Sequence, residues 1–172
     1  MRSRVRVFGH AVHPALVAFP LGLLATAVIF DIVYLSTGSD GFTLAAGYMI
    51  GAGLIAGLLA ALFGLVDWLS ITPGTRARRI GAKHGLGNVV VLVLFGFSWL
   101  LRAADDWYPG GLALLLSFGG LALAVVTGWL GRELVERLGV SIDPGAGLDA
   151  PSSLSRQPTP ARSPDERIYP AR

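Results

Sequence analysis

The sequence predicts an all-α fold, an integral membrane four-helix bundle followed by a disordered C-terminal tail. Hydrophobic residues make up 53% of the chain and charged residues 15%, and the mean hydropathy is +0.62. Soluble domains rarely have this composition. The apolar residues form four blocks, each long enough to cross a hydrocarbon layer of about 30 Å. From residue 139 onward prolines recur among serines and arginines, a composition that does not support a packed core.

The first thirteen residues form a basic segment, in which Arg2, Arg4 and Arg6 alternate with other side chains. Such a segment suits the surface of an anionic membrane. We expect residues 1–13 to be an interfacial anchor and not a folded element. The first span is predicted over residues 14–35, because Pro14 opens the apolar run and proline is favoured at the start of a helix.

The second and third spans are predicted over residues 43–69 and 84–103, separated by a Pro-Gly break and a basic loop. Glycines recur at helical spacing in the second span, which allows helix backbones to approach closely. Asp67 lies on the same face as several of these glycines, so its carboxylate is expected to point into the tightest packing.

The fourth span is predicted over residues 112–131, with a polar helical extension to residue 138. One face of this span consists of small residues suited to helix packing, namely Ala113, Ser117, Gly120, Ala124 and Thr127. The four-span domain therefore covers residues 14–138, and the disordered tail covers residues 139–172.

Charges outside the spans predict the orientation in the membrane. Lysine and arginine concentrate in the N-terminal segment, in the loop between the second and third spans, and towards the C-terminus. The other two loops carry the acids Asp40, Asp105 and Asp106. By the positive-inside rule, both termini are expected in the cytoplasm, in a multi-pass protein of the bacterial inner membrane.

Two pairs of polar residues have the same spacing inside spans. His13 and Asp31 are 18 residues apart in the first span, and so are His84 and Arg102 in the third. At 3.6 residues per turn, this spacing returns to the same helix face. Asp31 and Arg102 are expected to form a structural ion pair across the bundle, because an unpaired carboxylate inside a span costs about 3 kcal/mol.

The three histidines of the chain, His10, His13 and His84, are expected to converge at the cytoplasmic rim. Asp67 and Asn88 are expected to orient them through hydrogen bonds. Imidazoles and carboxylates suit divalent zinc, iron or copper, and paired imidazoles ligate haem iron. The pattern therefore indicates non-covalent haem b or a divalent metal as cofactor. The alternative explanation is that these are ordinary amphipathic residues at a membrane surface.

The composition excludes several other classes of protein. Without cysteine, the chain can have no disulfide, cysteine-ligated cluster or covalently attached haem of its own. The net charge of +3 is explained by membrane topology, so no nucleic-acid partner is expected. No nucleophile and base stand in a recognisable setting, which indicates a protein that is not an enzyme.

Several separated motifs carry a family resemblance. They are residues 9–17, the Phe19-Pro20-Leu21-Gly22 stretch, Asp31, the Gly64-Leu65-Val66-Asp67-Trp68 stretch, Pro73-Gly74-Thr75, and His84 with Asn88. Over about residues 8–135 the chain resembles the bacterial four-span membrane family catalogued as domain of unknown function 2231. Some members are fused to Rieske-type or cytochrome-c-type electron carriers. The resemblance therefore implies a four-span inner-membrane protein with a redox role and an electron-carrier partner.

Three functions follow from these observations, all with the lipid bilayer as a partner. The first is a redox-associated module that binds haem or a divalent metal through its histidines. The second is a non-catalytic membrane subunit or scaffold that binds a partner protein or a second copy of itself. The third is a small proton- or ion-conducting bundle, in which the relay groups would be Asp31, Asp67, His84 and Arg102.

Overall fold

The computed structural model describes residues 3–143 and 145–155. The main elements are four helices, α1 (Val12–Thr37), α2 (Gly41–Leu69), α3 (Arg76–Ala103) and α4 (Gly111–Arg132). A π-helical turn at Glu133–Arg137 continues α4. All four helices are long and apolar enough to cross a membrane. The predicted all-α, four-helix membrane bundle is therefore confirmed.

The helices pack as two hairpins, α1 with α2 and α3 with α4, and the hairpins meet mainly where α2 contacts α3. The shared core is apolar and includes Leu24, Val28, Ile50, Val91 and Phe95. Polar side chains lie on both sides of this core. Below, the end of the bundle with the α2–α3 connection is called the histidine end, and the opposite end is called the ion-pair end.

The N-terminal segment is folded, contrary to the prediction of an unstructured anchor. Two short strands, β1 (Arg6–Val7) and β2 (His10–Ala11), pair antiparallel. Phe8 and Gly9 make the turn with φ angles of 50° and 82°, the left-handed values that a tight hairpin turn requires. Residues 1–2 lie outside the described part of the chain.

The third helix begins two turns earlier than predicted. Thr75 caps α3, since its side-chain oxygen accepts a hydrogen bond from the backbone N–H of Arg78 at 3.2 Å. The basic residues assigned to a loop instead form the first turns of the helix. The prediction of a start at residue 84 was wrong because cations at a helix start mark the membrane boundary and not the helix boundary.

The connection between α3 and α4 folds back onto the bundle. Asp106 and Trp107 adopt positive φ angles of 46° and 71°, and the N–H of Trp107 donates to the carbonyl of Arg102 at 2.8 Å. This turn places the indole of Trp107 against Gly47 of α2, so closely that a Cβ there would lie 2.6 Å from the ring. The ion-pair end is thereby covered by an aromatic side chain.

The first part of the C-terminal tail returns to the N-terminal hairpin. Arg6 forms an ion pair with Asp143 at 3.4 Å, and Ser153 lies against Gly9. Residues 145–155 contain turns and no helix or strand. The rest of the predicted disordered tail, residues 156–172, lies outside the described residues.

Candidate functional site

Asp31 and Arg102 form a two-pronged ion pair at the ion-pair end. The guanidinium nitrogens of Arg102 donate to the two carboxylate oxygens of Asp31 at 2.8 and 2.7 Å. Both side chains are 0% exposed. The spacing of 18 residues from His84 puts Arg102 on the inward face of α3, and the same spacing from His13 does so for Asp31 on α1.

Two serines complete the surroundings of this pair. Arg102 donates through Nε to Ser98 at 3.3 Å and through another guanidinium nitrogen to Ser117 at 3.2 Å. Ser98 in turn donates to the carbonyl of Ala113 at 2.7 Å. Among the described residues, every buried side-chain nitrogen and oxygen has a hydrogen-bond partner. The arrangement is a closed structural clamp between α1, α3 and α4.

At the histidine end, His13 of α1 forms a hydrogen bond with the neighbouring helix α2. Its Nδ1 lies 2.8 Å from the carbonyl oxygen of Ala60 on α2. A carbonyl can only accept, so Nδ1 carries the proton and Nε2 keeps the lone pair. The ring packs against Gly64, where an added Cβ would lie 2.7 Å from Cε1 of the imidazole. Glycine is therefore required for the ring to lie flat on α2.

His84 makes the same contact on the other hairpin. Its Nδ1 lies 2.8 Å from the carbonyl oxygen of Thr127 on α4, and its ring packs against Gly131. Because α1 and α3 both begin at the histidine end, His13 in α1 and His84 in α3 lie at that end. The two imidazoles thus lie at one end of the bundle with the same nitrogen protonated.

Asn88 adds contacts to His84 that His13 lacks. Its amide nitrogen lies 3.4 Å from Nδ1 and 3.2 Å from Nε2 of His84. Its amide oxygen accepts from the hydroxyl of Thr127 at 2.9 Å. Because Nδ1 of His84 donates to the carbonyl of Thr127, Nε2 is the ring nitrogen that can accept a hydrogen bond from this amide.

His10 is separate from the other two histidines. It lies in strand β2, its side chain is exposed, and its Nδ1 contacts the carbonyl of Phe8 at 3.1 Å. The extended backbone of β2 keeps it outside the helix, which begins at Val12. The structure therefore brings together His13 and His84, but not His10.

Asp67 has partners other than the histidines. The hydroxyl of Ser3 lies 2.7 and 2.9 Å from its two carboxylate oxygens, and the backbone N–H of Arg4 donates to it at 3.0 Å. Asp67 is 6% exposed and so is Ser3. Its carboxylate fastens the N-terminal segment to the end of α2, instead of orienting an imidazole as the sequence suggested.

The side chains at the histidine end can be compared with the ligands that a divalent ion and a haem require. A divalent ion bound wholly by protein typically takes four ligands. Within residues 3–143 and 145–155, no group of three or more His, Asp or Glu side chains could hold an ion. Haem supplies four nitrogens of its own and needs only axial ligands, a role that two imidazoles can fill. The described residues therefore lack the ligand set of a protein-coordinated divalent ion.

Sequence patterns do not single out the polar residues that hold these side chains. Ser117 and Thr127 were counted only as small packing residues of the fourth span, although both are almost fully buried and hydrogen-bonded. Both belong to a stripe of buried residues on α4 in which successive members are three or four residues apart, the spacing of one helix face. Ser3 carried no signal, because its partner is 64 residues away.

Comparison with known proteins agrees with this architecture. No curated protein and no solved structure matched the chain. A family model described as "Predicted membrane protein (DUF2231)" matches residues 9–144. This range includes all four helices, the buried ion pair, and the histidines His13 and His84. The chain therefore belongs to this family of predicted membrane proteins.

Proposed function

We propose that this protein is a redox-associated module of the inner membrane that binds haem b through His13 and His84. The observation that supports the proposal is that both imidazole rings make the same hydrogen bond. Each donates Nδ1–H to a backbone carbonyl at 2.8 Å, which is the arrangement that orients histidine ligands in metal and haem sites. Nε2 of His84, which lies 3.2 Å from the amide nitrogen of Asn88, would exchange that contact for the bound group. Bound haem would supply one-electron transfer.

The residues of the chain would hold and orient such a group. His13 and His84, from helices of different hairpins, would hold the group. The carbonyls of Ala60 and Thr127 would fix the ring protons on Nδ1. Gly64 and Gly131 would keep the rings close to α2 and α4, where side chains would displace them.

The proposed site lies at the cytoplasmic end of the bundle. Its rim carries cations on α3, namely Arg76, Arg78, Arg79 and Lys83. The connections at the ion-pair end carry Asp40, Asp105 and Asp106. This distribution supports cytoplasmic termini by the positive-inside rule, and cations near the histidines would favour the propionates of a haem or an acidic electron carrier.

A proton-conducting function has less support. The two polar ends of the bundle are separated by a layer of apolar side chains that includes Leu24, Val28, Val91 and Phe95, each at most 5% exposed. A proton path needs polar groups or water at close intervals. The buried ion pair is satisfied by its own neighbours and has no titratable group of the histidine end beside it.

A scaffold without a cofactor is the second candidate. It is favoured by the internal hydrogen-bond partners of every buried side-chain polar atom that the structure describes. The ion pair closes one end, His13 and His84 bind neighbouring helices, and Asp67 binds the N-terminal segment. Such a bundle would bind a partner protein or a second copy through its outer surface. The experiment below separates this function from haem binding.

The test is an absorbance spectrum and metal analysis of detergent-purified protein expressed with sufficient haem. Wild-type protein is expected to show the paired visible bands of low-spin haem b, and His84→Ala and His13→Ala are expected to lose them. His10→Ala is the matched control, because His10 is exposed on the hairpin, and it should keep the spectrum. Folded wild-type protein without haem would leave the scaffold function in its place.

A further inference from the structure

We infer that the chain is two copies of one helix hairpin, and that Asn88 and Thr127 are positioning residues that hold His84 more firmly than its counterpart His13 is held. The duplication and the unequal restraint follow from contacts in the structure. Only the consequence for ligand positioning rests on the proposed function.

The duplication is visible in matching contacts. His13 is separated from His84 by the same 71 residues that separate Asp31 from Arg102. Leu24 and Phe95 have this separation too. These are all residues of α1 and α3 that face the bundle interior, so one constant shift superimposes the inward face of α1 on that of α3.

The partner helices match in the same way. Gly53 receives Leu24 and Gly120 receives Phe95, with an added Cβ 2.8 Å from the side chain in both places. His13 contacts the carbonyl of Ala60 and packs on Gly64 four residues later. The contacts of the second hairpin repeat this: His84 contacts the carbonyl of Thr127 and packs on Gly131 four residues later.

Three kinds of contact therefore recur at equivalent positions: a histidine-to-carbonyl hydrogen bond, a histidine-on-glycine contact and a large apolar side chain on glycine. Both hairpins run in the same direction, since each begins at the histidine end. The two copies are consequently related by an approximate two-fold axis along the bundle. Equivalent residues face each other across that axis, which explains why the histidines share one end and the ion pair the other.

Because the two hairpins are equivalent, the residues around His84 can be compared with their counterparts around His13. The counterpart of Asn88 is Val17, and the counterpart of Thr127 is Ala60. His84, Thr127 and Asn88 form a closed ring of contacts: ring nitrogen to carbonyl, hydroxyl to amide oxygen, and amide nitrogen to the imidazole. Valine and alanine side chains cannot make the last two, so the carbonyl bond alone orients the ring of His13.

This inequality has a consequence for ligation. Thr127 is 2% exposed, so its hydroxyl contact with Asn88 is shielded from water and strengthened. The orientation of His84 is therefore fixed before anything binds, whereas His13 can turn about its side-chain bonds once its single hydrogen bond opens.

The test compares the ring protons of the two histidines directly. In protein labelled with ¹⁵N-histidine and held in detergent without haem, NMR measures hydrogen exchange at each Nδ1–H. We expect exchange at His84 to be roughly fivefold to tenfold slower than at His13, as one extra hydrogen-bonded contact implies. Equal rates in the wild-type protein would overturn the inference.

Exchanging the counterpart residues provides the matched variants. Asn88→Val with Thr127→Ala gives His84 the surroundings of His13 and keeps the carbonyl of residue 127, so the two rates should become similar. Val17→Asn with Ala60→Thr should slow exchange at His13. Thr127→Ala alone is the milder variant if the double variant does not fold. Rates at His84 that do not respond to any of these changes would contradict a positioning role.

The same preparations separate this inference from the proposed function. Adding haem to each and recording its absorbance measures ligation independently of proton exchange. Protein with unequal exchange rates and no haem binding contradicts the proposed function and leaves the inference intact. Protein that binds haem but has equal exchange rates contradicts the inference and leaves the proposed function intact.

Discussion

Asp31 and Arg102 are excluded from solvent in a part of the bundle where no water replaces a lost partner. Removing one of them leaves a buried charge uncompensated, and such losses cost about 3–5 kcal/mol. Replacing both with apolar residues of similar size removes the penalty together with the attraction, and is often nearly neutral. The two kinds of substitution therefore have very different expected effects.

Asp31→Asn is accordingly expected to lower the free energy of unfolding by about 3–5 kcal/mol, measured by denaturant titration in mixed micelles. Asp31→Leu combined with Arg102→Met should recover most of the loss. If the double variant is no more stable than Asp31→Asn, the pair is not the coupled unit that its geometry indicates.

The adjacent glycines Gly119 and Gly120 provide a second comparison at the scale of one residue. An added Cβ at Gly120 would lie 2.8 Å from the ring of Phe95, whereas at Gly119 it would meet nothing within 4 Å. Gly120→Ala is expected to destabilise the protein by about 1–3 kcal/mol through overpacking. Gly119→Ala should stabilise it by about 0.5–1 kcal/mol, the gain in helix propensity. Thermal unfolding of both variants in one detergent checks the difference in sign.

The sequence predicted single residues well where they lie on one regular helix. A shift of 18 residues along a straight helix fixes the face, so Asp31 and Arg102 could be placed inward from spacing alone. Helical spacing did not predict the position of a residue that lies outside the helix. His10 and His13 are close in sequence, yet His10 belongs to strand β2 and His13 to α1, and helical spacing does not extend into a strand.

Among the elements, the N-terminal hairpin depends on one buried contact with α2. Ser3→Ala removes the hydroxyl that lies against both oxygens of Asp67. Hydrogen bonds to charged groups contribute about 1.5–3 kcal/mol, so the segment should open roughly tenfold to a hundredfold more often.

This opening is measured by trypsin cleavage after Arg4 and Arg6, followed by mass spectrometry. Faster cleavage is expected in Ser3→Ala than in the wild type. Ser36→Ala is the control, since Ser36 is exposed and bonds only to a carbonyl of its own helix. Equal cleavage in Ser3→Ala and Ser36→Ala would show that Asp67 does not fasten the segment.

The two connections at the ion-pair end are joined by Tyr108 and Asp40. Accepting a hydrogen bond from the phenol, the carboxylate of Asp40 raises the pKa of Tyr108 above its usual value of 10.0, and its negative charge adds to the effect. The bond exists while the phenol is protonated. Its contribution is therefore complete below the usual pKa and is lost as the pH rises through the raised one.

Asp40→Asn should consequently lower the pKa of Tyr108 towards 10.0. Spectrophotometric titration of tyrosinate, taken as the difference between each protein and its Tyr108→Phe derivative, isolates this phenol from the other tyrosines. A titration midpoint unchanged by Asp40→Asn would mean that the two connections do not interact.

Element boundaries were predictable from composition only where composition reports structure. The apolar blocks fixed the existence of four helices, because no other lipid-exposed structure of that length satisfies its backbone. They did not fix the start of α3, where a capping threonine and a basic first turn extend the helix beyond the apolar block. Two-residue strands are too short to show any alternation of side chains.

For the molecule as a whole, duplication explains features that the sequence does not show. His13 and its carbonyl partner are 47 residues apart in the first hairpin, whereas His84 and its partner are 43 apart in the second, so no single shift aligns both helices of one hairpin with those of the other. The two hairpins also differ at Asn88 and Thr127, whose counterparts are Val17 and Ala60, which makes their sequences less similar. The repeat is recognised only when each histidine is seen against a carbonyl and a glycine of its partner helix.

Orientation across the membrane is the property of the whole molecule that charge alone predicts, and the absence of cysteine makes it directly measurable. Ser39 lies in the connection between α1 and α2 and Thr72 in that between α2 and α3, and both are exposed. In intact cells, a membrane-impermeant maleimide should label Ser39→Cys and should label Thr72→Cys only after permeabilisation. The basic rim that would meet an acidic electron carrier then faces the cytoplasm. Labelling of Thr72→Cys in intact cells would reverse the orientation and move the histidine end, with any carrier that docks there, to the opposite side.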